Sequence, residues 1–438
     1  NRDVFYNQLS DNTSVKNDSK IPLYFMQSNG GLVDAHKFRG KDAILSGPAG
    51  GVVGMVETAS NDGFERIIGF DMGGTSTDVA HFNASHLRSD QLESAKKETE
   101  HDVREYEREF ETQIAGVRLR APMMNIHTVA AGGGSIVTFA DGRFQVGPES
   151  AGAFPGPACY RNGGPLTITD CNVLLGKVKA EYFPECFGPK RNQGLDYFGV
   201  KQQFDQLAKD INTESVARYT AEEIAQGFLT IAIENMANAV KKISLQRGYD
   251  VGSYILNAFG GAGAQHACLV AESLGMTQVY LHPFAGVLSA YGIGLAKERW
   301  LGEESLQLEI FNTYSSNADP SSVKSTQALR SCEVLDEIEL RQIRLQQQAS
   351  VSISKALNNK TTCSHTQHNI QDFWRIHIKY KGTDTPLLLT LPNNLDLTKV
   401  TEKFHQLHHQ TFGFSNPERT VILEALQLER VVGGRDAK

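Results

Sequence analysis

Two carboxylates bracket a run of glycines and hydroxyl residues early in the chain. Asp71 ends the apolar stretch 66–70, and Asp78 closes the run. Glycines let backbone N–H groups approach an anion closely, and successive N–H groups in a turn form an anion-binding hollow. Two acids would repel a bare phosphate, so the pattern favours a phosphate that carries Mg²⁺.

Asp71 and Asp78 are therefore the predicted metal ligands and catalytic acids. The predicted phosphate-binding residues are Gly73, Gly74, Thr75, Ser76 and Thr77. The alternative is a tight hairpin closed by local side-chain turns.

A second glycine turn follows the apolar stretch 253–259 and precedes a predicted helix. Its residues are Gly260, Gly261, Ala262 and Gly263. A helix N-terminus offers free N–H groups and a partial positive charge, which suits a nucleotide. The spacing fits neither a P-loop nor a GxGxxG fingerprint. The residues alone therefore leave nucleotide binding and simple packing both open.

Three further features are weaker candidates for the same chemistry. The run Gly132, Gly133, Gly134 and Ser135 predicts either another phosphate cradle or a packing loop. His127 just before it is either a buried, hydrogen-bonded histidine or a general base or metal ligand. Glu149 either contacts a substrate or caps a turn. The three glycines are kept as cofactor-binding candidates, and His127, Ser135 and Glu149 as substrate-binding candidates.

The elements that would position these residues alternate between strands and helices. Residues 66–71 read as a buried strand and 78–82 as its returning partner. Small residues from 46 to 56 predict a helix, and a Thr220–Glu223 capping box opens a long helix that ends near Arg247. After Arg299 the sequence predicts a small α+β domain: helical periodicity over 303–360, strands at 373–380, 387–391 and 421–432, and a helix at 404–412.

The two glycine motifs together resemble the second phosphate loop and the adenosine loop of the actin, sugar-kinase and heat-shock ATPase superfamily. That resemblance implies an α/β fold with a ribonuclease H-like core, here followed by the small α+β domain. In this superfamily two related halves clamp ATP, and the order of motifs fits the second half.

The wider chain resembles a narrower family, the hydantoinases and oxoprolinases. The stretches that carry this resemblance run in order through most of residues 21–300: 45–54, 71–78, 127–135, 146–160, 167–172, 259–266 and 286–292. Segments 183–189, 192–196, 380–384 and 412–414 are similar to the oxoprolinase branch. The resemblance implies ATP-dependent hydrolysis of a cyclic amide, most simply 5-oxo-L-proline, by phosphorylation of the amide oxygen. Hydantoin hydrolysis, ketone carboxylation and an inactive scaffold remain alternatives.

The resemblance also implies cofactors, partners and a division of the chain. ATP and Mg²⁺ are the expected cofactors, with K⁺ a further candidate ion, and a hydantoinase B-like part and a homodimer are the expected partners. We expect an irregular segment at 1–20, an ATPase domain at 21–300 with a charged insertion at 87–105, and a C-terminal domain at 301–438. Nothing before Asn29 resembles the family's first phosphate loop, so we expect a fragment that is inactive by itself.

Composition narrows the partners of the 438-residue chain. It carries 43 basic and 50 acidic residues, for a net charge of -7, and has no basic stripe. We therefore expect neither nucleic-acid nor membrane binding. Six cysteines without a CxxC spacing argue against a zinc knuckle and suit a reducing cytosol, so a cytoplasmic location is expected.

Overall fold

The computed structural model describes residues 23–84, 106–114, 117–214, 217–247, 249–310, 320–357, 370–391 and 395–432. The predicted irregular segment at 1–20 and the charged insertion at 87–105 lie outside these residues.

Fifteen strands and eight α-helices are defined within the described ranges. The strands are β1 (Tyr24–Met26), β2 (Leu32–Asp34), β3 (Arg66–Met72), β4 (Thr77–Asn83), β5 (Arg108–Ile114), β6 (Val117–Met124), β7 (Ile126–Val129), β8 (Ser135–Ala140), β9 (Arg143–Ser150), β10 (Ile255–Phe259), β11 (Val279–Tyr280), β12 (Glu298–Ile310), β13 (Ile370–Tyr380), β14 (Leu387–Thr390) and β15 (Val421–Val432). The helices are α1 (Ser46–Asn61), α2 (Ile168–Leu174), α3 (Tyr197–Glu214), α4 (Ala221–Arg247), α5 (Gly263–Ser273), α6 (Leu288–Leu295), α7 (Pro320–Leu357) and α8 (Leu397–Phe412).

A five-stranded sheet in the order β11-β10-β3-β4-β7 forms the centre of the first part of the chain. β10 runs parallel to β3, and β4 returns antiparallel beside it, as the hairpin prediction required. Helices cover both faces because alternate residues of β3 are buried on opposite sides. Ile67 packs with α1 and α6, whereas Ile68 and Phe70 pack with α2 to α5.

A six-stranded sheet, β1-β2-β12-β15-β13-β14, forms a second core with α7 and α8. Its strands come from both sides of residue 300, because β1 and β2 join β12. The predicted domain boundary near residue 300 stays a prediction. The six-stranded sheet contains strands from both sides of that boundary.

A buried ion cluster also joins these two sides. Glu429 of β15 accepts hydrogen bonds from Arg299 at 2.6 Å, from Arg108 at 2.7 Å and from Arg375 at 2.8 Å. Burial alone would raise the pKa of Glu429, but the three guanidinium groups hold it well below its usual range. Arg108 also donates to the carbonyl of Asn29, so one side chain connects β5, the β1–β2 turn and β15.

Most predicted elements are confirmed, with one difference in the C-terminal part. Thr220 and Glu223 form the predicted capping box at the start of α4. Residues 303–310, by contrast, belong to strand β12 rather than to a helix. Leu306, Leu308 and Ile310 alternate with polar residues, and β15 supplies an antiparallel partner, so the strand period prevails over the helical one. Across the described ranges, no helix combines the length and apolar character needed to cross a membrane.

Candidate active site

The two predicted acids lie in one row across the five-stranded sheet. Asp71 at the end of β3 is in register with Asp78 at the start of β4. Asp78 is in turn opposite Thr128 of β7, and Asp71 is opposite Phe259 of β10. This row lies where the parallel strands β3 and β10 end, the edge at which open α/β sheets bind ligands.

The turn between the two acids contains backbone donors that are free of protein acceptors among the described residues. It is closed by a hydrogen bond from the N–H of Gly73 to the carbonyl of Ser76, at 3.0 Å. Gly74 and Thr75 are exposed, and the N–H groups of Gly74, Thr75 and Ser76 have no acceptor among the described residues. The turn therefore has the unfilled donors that an anion site needs.

Thr77 differs from the other members of the predicted phosphate motif. Its side chain is fully buried, and its hydroxyl donates to the carbonyl of Ala131 at 2.5 Å. The hydroxyl therefore fastens the hairpin to the next loop, and the phosphate contact predicted for Thr77 is not what this geometry provides.

The glycine loop at 132–134 packs directly against that turn. Gly133 donates to the carbonyl of Gly73, and Gly134 donates to the carbonyl of Gly74. Gly132 donates to the buried hydroxyl of Ser135, and a Cβ on Gly132 would lie 2.7 Å from the carbonyl oxygen of Gly74. All three N–H groups are therefore used within the protein. These contacts favour the packing role over the phosphate-binding role for the loop that contains Gly132, Gly133, Gly134 and Ser135.

Asp71 occupies a narrow space between three other elements. A Cβ on Gly260 would lie 2.3 Å from Oδ1 of Asp71, and one on Gly51 would lie 3.3 Å from Oδ2. Ser289 of α6 donates to Oδ2 at 3.3 Å. Burial, followed by the nearby charge of Asp78, raises the pKa of Asp71 to about 6, against a smaller lowering effect of the Ser289 hydroxyl.

Asp78 is held from the other side of the row. The hydroxyl of Thr128 donates to Oδ1 of Asp78 at 2.6 Å. Burial raises the pKa of Asp78, and the Thr128 hydrogen bond opposes that rise. Each acid thus has one oxygen bound by a hydroxyl from outside the motif.

Close contact between α1 and α6 fixes the position of Ser289. A Cβ on Gly292 would lie 2.0 Å from the carbonyl oxygen of Gly50 and 2.4 Å from the nitrogen of Gly54. Only residues without side chains let the two helix backbones approach this closely. The run of small residues that predicted α1 therefore serves this helix contact.

The second glycine turn lies beside Asp71, as the pairing of the two motifs requires. Gly260 has a φ of 81°, a left-handed conformation that favours glycine, and Ala262 donates to the carbonyl of Met72 at 2.9 Å. Gly263 begins α5, and Gly261 has open space around its α-carbon. The N-terminus of α5 therefore lies next to the acid row, where its partial positive charge suits an anionic ligand.

The remaining candidates, His127 and Glu149, make no hydrogen bond to Asp71 or Asp78 among the described residues. His127 is the neighbour of Thr128 on β7, so their side chains point to opposite faces of the sheet. Burial, and then the charge of Lys242, lowers the pKa of His127. Glu149 is exposed on β9 and has no hydrogen-bond partner among the described residues. The substrate roles predicted for these two residues remain untested.

Sequence reasoning missed Ser289, Thr128 and Gly51 as parts of the site. All three lay within stretches that carried the family resemblance, but nothing in their spacing pointed to Asp71 or Asp78. Thr128 directly follows the candidate His127, and neighbouring strand residues point to opposite faces of the sheet. Only the register of β7 against β4 shows that Thr128, and not His127, lies on the same face as Asp78.

The chemistry of the donor set fits a divalent cation that keeps most of its water. Two facing carboxylates suit Mg²⁺, which proteins usually bind through one or two acids together with phosphate oxygens. In the part of the chain that the structure describes, no cluster of three or more histidine, cysteine or acidic side chains forms a closed metal site. The fit is therefore to a shared metal–phosphate site rather than to a structural metal.

The sheet, the acid–glycine hairpin and the glycine turn before α5 define an actin-like ATPase core. The sequence model of the hydantoinase/oxoprolinase family matches residues 5–301. The 5-oxoprolinase of Saccharomyces cerevisiae is 37% identical over 98% of this chain, and 5-oxoprolinase 1 of Arabidopsis thaliana is 38% identical over 92%. The crystal structure of the ATP-dependent caprolactamase from Pseudomonas jessenii superimposes with a TM-score of 0.65 at 26% identity, over 94% of this chain and 53% of that one.

The chain belongs to the hydantoinase/oxoprolinase family. It spans only 30% of the yeast relative and 29% of the Arabidopsis relative. It therefore corresponds to less than a third of those proteins.

Proposed function

We propose that this chain is the ATP-binding part of a protein that hydrolyses 5-oxo-L-proline to L-glutamate, converting ATP to ADP and phosphate. The observation that carries the proposal is the acid row of Asp71 and Asp78 beside a turn with free N–H groups. The similarity to two 5-oxoprolinases supports the choice of substrate.

The chemical difficulty lies in the resonance-stabilised lactam. Transfer of the γ-phosphoryl group to the amide oxygen, with ADP as the leaving group, would make the ring carbon electrophilic. Addition of water to that carbon and cleavage of its bond to the ring nitrogen, which takes up a proton, would give an acyl phosphate. A second water would then release phosphate and leave glutamate. Phosphoryl transfer depends mainly on positioning and charge neutralisation. The free N–H groups of Gly74, Thr75 and Ser76 would hold the phosphates, and the Gly260–Gly263 turn would support the adenosine.

Asp71 and Asp78 would hold Mg²⁺, directly or through water. The metal would neutralise the phosphate charge. The missing side chain of Gly260 leaves the space that Oδ1 of Asp71 occupies. A role for K⁺ is a further part of the proposal and rests on family resemblance.

The proposed partners complete the site. We infer a preceding phosphate loop and a hydantoinase B-like part, in the same or a separate chain, and a homodimer. The five described cysteines are free, which suits the proposed cytosolic location.

The test is coupled ATP hydrolysis by the full-length parent protein, with and without 5-oxoproline, alongside Asp71→Ala. Release of ADP and glutamate together, lost in the variant, is the expected result. Stimulation by hydantoin, caprolactam or a ketone instead would keep the ATPase assignment and reject the substrate. Absence of both nucleotide binding and turnover would reject the function.

A further inference from the structure

Each acid of the pair has one oxygen that accepts a hydrogen bond and one oxygen, here called open, that accepts none; the open Oδ1 of Asp71 packs closely against Gly260. Ser289 donates to Oδ2 of Asp71, and Thr128 donates to Oδ1 of Asp78. Among the described residues, no side chain or backbone donor reaches Oδ1 of Asp71 or Oδ2 of Asp78. A carboxylate with one oxygen fixed by a hydroxyl has its other oxygen aimed in one direction.

Both hydroxyl groups are placed by backbone contacts rather than by flexible segments. Thr128 is in strand register with Asp78, and Ser289 belongs to the helix whose Gly292 touches Gly50 of α1. Neither residue is part of the acid–glycine motif, and they lie 50 and 218 positions from the acids that they contact. The two contacts therefore arise only in the folded chain.

We propose that Ser289 and Thr128 are positioning residues that orient the Asp71 and Asp78 carboxylates toward one shared Mg²⁺–nucleotide complex. This inference rests on the proposed function, since it assigns the open oxygens to the metal or its water shell. Neither residue needs to touch the nucleotide. Their effect is to orient the two carboxylates before the metal binds. Pre-orientation lowers the entropic cost of ordering these side chains on metal binding.

The experiment is Mg²⁺ titration of fluorescent ATP-analogue binding by the full-length parent. The variants are Ser289→Ala, Thr128→Ala and Thr128→Ser. The last variant keeps the hydroxyl, and Thr230→Ala serves as the control because its exposed hydroxyl bonds only within α4. We expect Ser289→Ala and Thr128→Ala each to raise the half-saturating Mg²⁺ concentration by roughly 3- to 30-fold. Thr128→Ser and Thr230→Ala should behave like the wild type.

A positioning role also predicts recovery at high metal concentration. Excess Mg²⁺ should restore nucleotide binding by both alanine variants, which a collapsed structure would not allow. Thermal unfolding without metal shows whether each variant folds. If Ser289→Ala does not fold, the Thr128 pair decides the question because Thr128 is exposed.

The outcomes separate this inference from the proposed function. An unchanged Mg²⁺ requirement in both alanine variants, with normal wild-type binding, would overturn the positioning role alone. A shift that Thr128→Ser fails to reverse would do the same. A shifted requirement without 5-oxoproline turnover would support positioning and reject the substrate, whereas a wild type that binds no nucleotide would overturn both.

Discussion

Gly260 lies against Asp71 so closely that a methyl group on Gly260 would be 2.3 Å from the acid's Oδ1. The same glycine has a φ of 81°, and its missing side chain leaves the space in which the carboxylate sits. The Gly260–Gly263 turn and the β3–β4 hairpin are therefore fitted to each other at this one contact.

Gly260→Ala tests that contact. We expect the variant to lose about 1 to 3 kcal/mol of unfolding free energy, because alanine is strained at this φ and clashes with Asp71. Urea denaturation measures the loss, and nucleotide binding should weaken with it. Gly261→Ala is the matched control, since its Cβ would meet no atom within 4 Å. Equal stability of the two variants would contradict the contact.

Gly292→Ala tests the approach of α6 to α1. The added methyl group would meet the backbone of Gly50 and Gly54, and separating the helices would withdraw Ser289 from Asp71. We expect a fall in thermal stability of several degrees and a weaker affinity for Mg²⁺–ATP. Gly294→Ala on the same helix has open space and should match or exceed wild-type stability. A Gly292→Ala protein as stable as that control would rule out the close packing.

Asp71→Asn should stabilise the metal-free protein at pH 8. Folding raises the pKa of Asp71 from 3.8 to about 6, so the folded protein carries an unfavourable charge above pH 6. This destabilisation, roughly 1 to 3 kcal/mol, shrinks as the pH falls from about 6 toward 3.8 and vanishes only below 3.8, where the carboxyl is protonated in both states. Denaturant unfolding in EDTA at pH 8 and pH 4 measures it.

The difference between Asp71→Asn and wild type in unfolding free energy should thus be large at pH 8 and much smaller at pH 4. The Asp71 variant should at the same time lose ATP hydrolysis in the full-length protein. A destabilised Asp71→Asn protein at pH 8 would mean that the charge is favourable there.

Glu429→Gln should strongly destabilise the fold. It leaves Arg108, Arg299 and Arg375 buried without their shared negative charge, a change that costs about 3 to 5 kcal/mol in comparable buried pairs. Because folding lowers the pKa of Glu429, its stabilisation is present above the unfolded-state pKa and is lost only as the pH falls to the lower folded-state value. Glu309→Gln, in an exposed pair with Lys381, should change stability by less than about 1 kcal/mol. Similar losses in the two variants would contradict the role of the cluster.

The local sequence determined the hairpin of β3 and β4, the capping box of α4 and the glycine turn before α5. Each depends on residues a few positions apart, whose backbone preferences and hydrogen bonds operate within the segment itself. The order of these motifs was also enough to indicate the family, because the motifs follow one another along most of residues 21–300.

The tertiary structure alone decided which hydroxyl binds which acid and which glycine loop keeps unpaired N–H groups. Thr77 looked like a phosphate contact, but its hydroxyl turns inward to Ala131. The N–H groups of Gly133 and Gly134 donate to the neighbouring turn, and that of Gly132 donates to Ser135. Ser289 reaches Asp71 across 218 positions because two glycine-lined helices pack backbone to backbone. Such contacts depend on strand register and helix separation, which are properties of the packed core and not of any short stretch of sequence.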